Sequence, residues 1–148
     1  MPGKLIRLLA RLLLLLLWLA GHLTPAMAQS VRPVANAGVD VAALAQAEVK
    51  AYNAHDIEAF LATYSDSATI YTYPDKVLAR GKTALRILYG SVFKLYPTLR
   101  CEVVHRVVQG HIATAVENTH GVGKTLMLGV GIYTFGKDGK ITEVRFIE

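Results

Sequence analysis

Two side chains in this 148-residue chain have the character of proton-transfer groups set among apolar neighbours: Glu48 and His105. Glu48 shares one helical stripe with Val41, Leu44 and Ala51 or Tyr52. If that stripe faces the interior, desolvation raises the carboxyl's pKa, as a general base working near neutrality requires. The competing stripe, Ala42, Ala45, Val49 and Tyr52, leaves Glu48 in solvent. His105 falls in mid-strand, where a lone interior histidine serves either as an acid/base or as a hydrogen-bonded core residue. Cys101 shares its expected face, but four strand residues separate the two by about 13 Å. That exceeds hydrogen-bond reach, so they do not form a nucleophile pair. Cys101 reads as a small buried hydrophobe. As the single cysteine it excludes a disulfide framework and a Cys-based zinc site. His105, His111 and His120 do not converge on one strand face, so no metal site is expected.

Two phosphate-loop look-alikes fail on spacing. Gly123-Lys124-Thr125 and Gly81-Lys82-Thr83 lack the earlier glycine of that motif, whose position holds Asn118 in one case and Lys76 in the other. No cofactor is expected.

The elements that must position these residues begin after an N-terminal address. Lys4, Arg7 and Arg11, with no acid among them, precede an apolar run from Leu12 to Ala20. Gly21 and Pro25 break it, and Ala26-Met27-Ala28 has the small residues a signal peptidase reads. The apolar run is well short of the ~20 residues that span a bilayer. Residues 1–28 are therefore expected to be a secretory signal peptide, which places the mature chain in the periplasm or outside the cell. Residues 29–38 read as a flexible lead-in and 39–148 as one domain. After cleavage, thirteen basic residues stand against eleven acids, a net charge of +2. That is a solubility-level charge, and no basic cluster with interleaved aromatics remains to bind nucleic acid.

Asp40 is placed to cap a first helix ending near Ala54, and Asp56 a second one reaching Tyr64. Ser67 to Tyr73 and Val77 to Arg80 read as strands. Gly81 opens a third helix with Leu85, Leu88, Val92 and Leu95 at helical spacing, and Pro97 ends it. Four further strands follow as a meander: 99–108, 111–119, 125–135 and 141–147. The pattern is α+β: three N-terminal helices packed in the concave face of a strongly curved, mostly antiparallel sheet.

Turn position fixes register, and register fixes faces. A turn at Gln109-Gly110 sets Val108 opposite His111, His105 opposite Thr114, Val103 opposite Val116 and Cys101 opposite Asn118. That side is mostly apolar and is assigned to the interior, leaving Arg106 and Glu117 on the wetter side. The Asp138-Gly139 turn sets Tyr133 opposite Val144 and Gly131 opposite Phe146. The reverse side of this hairpin carries Leu126, Leu128, Val130, Ile132 and Ile147. A second apolar side needs a partner, and a second copy of the chain is the simplest one. Gly129 and Gly131, on the interior side near Tyr133 and Phe146, leave space for a pocket or permit a bend.

The run Tyr52-Asn53-Ala54-His55-Asp56-Ile57, with Phe60 and Tyr64-Ser65-Asp66, resembles the opening of the nuclear transport factor 2-like, or SnoaL-like, superfamily. So do Arg80-Gly81-Lys82 and the last hairpin's Lys137-Asp138-Gly139-Lys140-Ile141. The resemblance covers roughly 39–148 and implies a cone of helices and curved sheet around an apolar pocket, often dimeric. It is specific for fold and not for activity, since similar chains include ketosteroid isomerase, scytalone dehydratase, cyclases and non-catalytic binders. The isomerase's base falls on Thr72, its tyrosine on Glu48 and its second acid on Gly131. Threonine and glycine cannot do those jobs, so the resemblance supports the scaffold and not that mechanism.

The expected function is binding of a small apolar or amphipathic molecule. Thr72, Thr114, Asn118, Gly129, Gly131, Tyr133 and Phe146 are the expected ligand-binding residues. The alternatives are a cofactor-free isomerase, dehydratase, cyclase or hydrolase using Glu48 or His105, and a dimerising interaction module without ligand.

Overall fold

Asp40 Oδ1 accepts a hydrogen bond from the Ala43 amide at 3.0 Å and starts helix α1, Val41–Asn53. Asp56 does the same for Ala59, also at 3.0 Å, and starts the short helix α2, Ile57–Ala62. Each cap satisfies one of the amides a helix start leaves unpaired. The computed structural model describes residues 39–147, so the expected signal peptide and lead-in lie outside the described residues. Among these no helix is long and apolar enough to cross a membrane.

Strands β1 (Tyr64–Thr72) and β2 (Lys76–Arg80) come next, then helix α3 (Gly81–Leu95). The meander follows as β3 (Arg100–Gln109), β4 (Ile112–Val122), β5 (Thr125–Phe135) and β6 (Ile141–Ile147). They make one six-stranded sheet in the order β2-β1-β6-β5-β4-β3. Only β1 and β6 run parallel, and every other pairing is antiparallel. The fold is the α+β cone, with the helices against one face of the sheet.

Helix α1 buries Val41, Ala45, Glu48 and Val49, a stripe that combines members of both expected alternatives and puts Glu48 inside. Helix α3 buries Leu85, Tyr89 and Phe93, four residues apart on one face. Leu95, expected on the inner stripe, is 68% exposed because that face has turned past the core by the last turn. Phe60 centres an aromatic cluster, with ring centroids 4.5 Å from Tyr89 and 4.9 Å from Tyr64. With Ile70, Leu85, Ile141 and Val144 it is sealed from solvent. Each such side chain contributes about 1.5–3 kcal/mol.

The second hairpin has the expected faces: Tyr133 pairs with Val144 and Gly131 with Phe146. The first hairpin does not. Gly110, at φ +60°, takes the first turn position, and Gln109 pairs with Ile112. Glycine there is what a two-residue turn with one positive φ demands. An irregularity between Val103 and His105 then adds one residue to β3. That bulge reverses the alternation along β3. Cys101 and Val103 stay on the inner side, while His105 and Val107 turn outward and are exposed. In β4 the inner residues are Ala113, Ala115 and Glu117, all buried. The expected pairings of His105 with Thr114 and Cys101 with Asn118 are corrected: His105 pairs with Val116 and Cys101 with Thr119.

Asn53 ties the end of α1 to the start of β3. Its Nδ2 donates to the Cys101 carbonyl at 2.8 Å, and its Oδ1 accepts from the Cys101 amide at 2.7 Å. The side chain stands in for a neighbouring strand. Next to it His55 holds a positive φ of 53°, stacks on Phe93 at 4.9 Å and bonds through Nε2 to the Leu99 carbonyl at 2.8 Å. Asn53→Ala strips the hydrogen-bond partner from both the amide and the carbonyl of Cys101. A loss of about 1–3 kcal/mol in unfolding free energy is expected by denaturant titration, and an unchanged midpoint would contradict this role.

Candidate functional site

A cavity of about 390 Å³ lies between the helices and the inner face of the sheet. Val49 and Tyr52 of α1 and Leu88, Tyr89 and Val92 of α3 line the helical side. Cys101, Thr119, Gly129, Tyr133 and Phe146 line the sheet side. Leu78, Met127, Leu128 and Ile147 form the rim, between 37% and 64% exposed.

Two carboxyls face this hollow. Glu48 on α1 is 6% exposed and Glu117 on β4 is 7% exposed. Tyr64 Oη donates to Glu48 Oε1 at 3.0 Å, and Tyr133 Oη donates to Glu117 Oε1 at 2.8 Å. Each acid is thus held by a phenol buried beside it. Gly131 makes the second pair possible: a Cβ there would stand 2.6 Å from Tyr133 Cε2, inside van der Waals contact. The ring lies flat over the glycine and carries its hydroxyl to Glu117.

Burial first, and then the neighbouring Glu117 charge, push the Glu48 carboxyl up from 4.5 to about 8. The Tyr64 hydrogen bond and Arg106 act the other way and are outweighed. Burial also raises Glu117, against the Tyr133 hydrogen bond and Arg106. The Cys101 thiol is pushed up to about 12, first by burial and then by Glu117 and Glu48, so it stays protonated and is no nucleophile. Tyr64, Tyr89 and Tyr133 are raised well above the ordinary phenol range by burial and remain hydrogen-bond donors.

The arrangement can therefore hold and exchange one proton near neutrality. Neutral Glu48 is a hydrogen-bond donor or general acid, and Glu117 is an acceptor or base. Among the described residues no three His, Cys, Asp or Glu side chains group as a metal site needs.

Of the expected site residues, the structure brings Glu48, Gly129, Tyr133 and Phe146 to the cavity. Gly131 sits beneath the Tyr133 ring, and Thr72 lies half-buried beside Phe146 without lining the cavity. His105, Thr114 and Asn118 are on the opposite face of the sheet, which removes His105 as the second acid/base candidate. Glu117 was the residue the sequence reading missed. The signal for it was Ala113-x-Ala115-x-Glu117, small inner positions alternating with bulkier ones.

A SnoaL-like domain model matches residues 45–144. The chain belongs to the SnoaL-like domain family. A cystatin-fold protein from Novosphingobium aromaticivorans is similar at 25% identity and TM-score 0.68, over 75% of this chain and all of that one. A SnoaL-like protein of unknown function from Burkholderia thailandensis is 19% identical with TM-score 0.63, over 72% and 91%. A nuclear transport factor 2-like protein of unknown function from Cytophaga hutchinsonii is 15% identical with TM-score 0.60, over 75% and 91%. No curated protein matches the chain.

Raised carboxyl pKa values tie stability to pH with a definite sign. The unfolded chain loses the Glu48 proton near 4.5, while the folded chain keeps it up to about 8. The contribution of neutral Glu48 is whole below the first value and gone above the second. Glu48→Gln is expected to be increasingly more stable than wild type as pH rises through that window. The gap should reach on the order of several kcal/mol by its upper end, read by denaturant unfolding across pH. A constant gap would show that Glu48 is not desolvated.

Proposed function

We propose that this SnoaL-like domain binds a small, mainly apolar molecule in its cavity, with a polar end directed at Glu48 and Glu117. The observation that carries this is the hollow itself: about 390 Å³ left open in a 148-residue chain, walled by apolar and aromatic side chains, with its two carboxyls deep inside. Protein interiors are otherwise close-packed, and a concave apolar site with a few convergent polar groups is the usual form of a ligand pocket. The signal-like N-terminus supports export, so the ligand is one met in the periplasm or outside the cell.

A second reading is favoured by the carboxyl pair. Two acids with raised pKa values sharing an apolar pocket support cofactor-free proton transfer, with Glu48 as acid and Glu117 as base. Pairing with a second copy is supported by the outer sheet face, where Val107, Ile112 and Val116 are all at least 37% exposed. A monomeric solution state, or a dimer that survives Val116→Lys in sedimentation analysis, would remove that proposal.

Mass spectrometry of the natively purified protein is expected to find a small apolar molecule that co-purifies. Val92→Trp, which fills the hollow from α3, should weaken binding of that molecule by about tenfold or more. If the identified molecule is also a substrate, Glu117→Gln should lower kcat by about 100- to 10,000-fold while leaving the fold intact. Equal binding by wild type and Val92→Trp would sink the pocket reading.

A further inference from the structure

The cavity lining is chemically one-sided. Among the described residues it holds two acids and no Lys, Arg or His. Each carboxyl spends one oxygen on a tyrosine: Oε1 of Glu48 on Tyr64 and Oε1 of Glu117 on Tyr133. The other oxygen of each, Oε2, receives no hydrogen bond from a described residue and is left open to the cavity; the sealed polar side-chain atoms without a partner among the described residues are Ser65 Oγ and Arg106 Nε. Neither carboxyl forms an ion pair among the described residues. Arg106 acts on both electrostatically, but it lies outside the lining and gives its Nη1 to Gln46 at 3.1 Å. It offsets at most one negative charge, so the second that appears when Glu48 gives up its proton has no cation to meet it.

Around these acids the wall is aromatic: Tyr52, Tyr89, Tyr96, Tyr133 and Phe146. Aromatic faces attract a desolvated cation through the ring quadrupole, and an unpaired buried carboxylate gains most from a charged donor. An anionic ligand such as a fatty acid would instead set a further negative charge beside Glu117 and hold Glu48 protonated. A neutral alcohol would pair with one oxygen and leave the other without a partner.

Building on the ligand pocket proposed above, we infer that the cavity selects a cationic ligand: a protonated amine carried on an apolar body of small-aromatic size. The ammonium sits between the two free Oε2 atoms with the ring faces beside it, and the apolar body points toward the rim at Leu78, Met127 and Leu128. Binding displaces the proton that Glu48 carries when the pocket is empty, and that proton goes to solvent. Glu48 is faced by Tyr64, Tyr89, Tyr52, Tyr133, Cys101, Glu117 and Arg106. The phenols and the thiol stay protonated through the neutral range, so the two carboxyls are the groups that respond.

Isothermal titration calorimetry of the mature protein with 4-phenylbutylamine, 4-phenylbutanol and 4-phenylbutanoate tests this. These three probes have nearly the same body and differ in charge. Near neutral pH the amine is expected to bind at least about tenfold tighter than the alcohol, and the butanoate weakest. Repeating the amine titration in two buffers of different ionisation enthalpy should show proton release on binding. Glu117→Gln should bring the amine and alcohol affinities together. If the alcohol binds as tightly as the amine, or the butanoate binds best, the cation preference is overturned and the pocket reading stands. If none of the three binds, the pocket reading falls and this inference with it.

Discussion

The rest of the site depends on keeping two carboxyls out of water. Holding Glu48 ionised inside this fold rather than in solvent costs on the order of 5 kcal/mol, from the rise between 4.5 and about 8. That is comparable to the whole stability of a small domain. The chain offsets it by keeping Glu48 neutral and giving each acid a phenol partner, Tyr64 for Glu48 and Tyr133 for Glu117. Tyr64 is part of the aromatic cluster around Phe60. The hydroxyl that holds the acid is therefore anchored by the packing that stabilises the fold. Loosening that cluster would free the tyrosine and leave the carboxyl without its partner.

The hollow has an equally local cause. On the inner face of β4 and β5 the side chains are Ala113, Ala115, Gly129 and Gly131, where a filled core would carry Leu or Ile. Small residues let α1 approach one half of the sheet, and Ala113 and Ala115 are fully covered there. The other half is left partly open, with the Tyr133 ring laid across Gly131. The same substitution pattern thus makes the space and aims the hydroxyl within it.

The fold was legible because its strongest signals are local. Asp40 and Asp56 cap the helices they were read to cap, and Asp138-Gly139 fixed the second hairpin's faces. The first hairpin was not legible, for two reasons. Gly110 moved the turn by one residue, and the extra residue in β3 reversed the alternation along that strand. Neither shows in a period-two pattern when both faces are apolar. The Val- and Ile-rich side of this hairpin, with Val107, Ile112 and Val116, looked like a core side and faces outward instead. His105 went to the surface with it, and Glu117 came in. Half of the candidate carboxyl pair was hidden by one residue of register.

The register of this sheet also shows what the scaffold holds fixed physically. Gly131 leaves an inner position of β5 without a side chain. Its antiparallel neighbours across the sheet are Ala115 on one side and Phe146 on the other, and Glu117 is two residues on from Ala115. Inner positions two residues apart share a face, and directly opposed Cβ atoms stand about 5 Å apart. An acid at either inner position would therefore lie within little more than one side-chain length of the other and reach the same hollow. Any of several inner positions can supply the charge, provided a neighbour gives up volume, as Gly131 does for Tyr133. What a curved sheet fixes is the convergence point rather than the residue number, so activity in such a cone is set by which converging positions carry acids and which of those are desolvated.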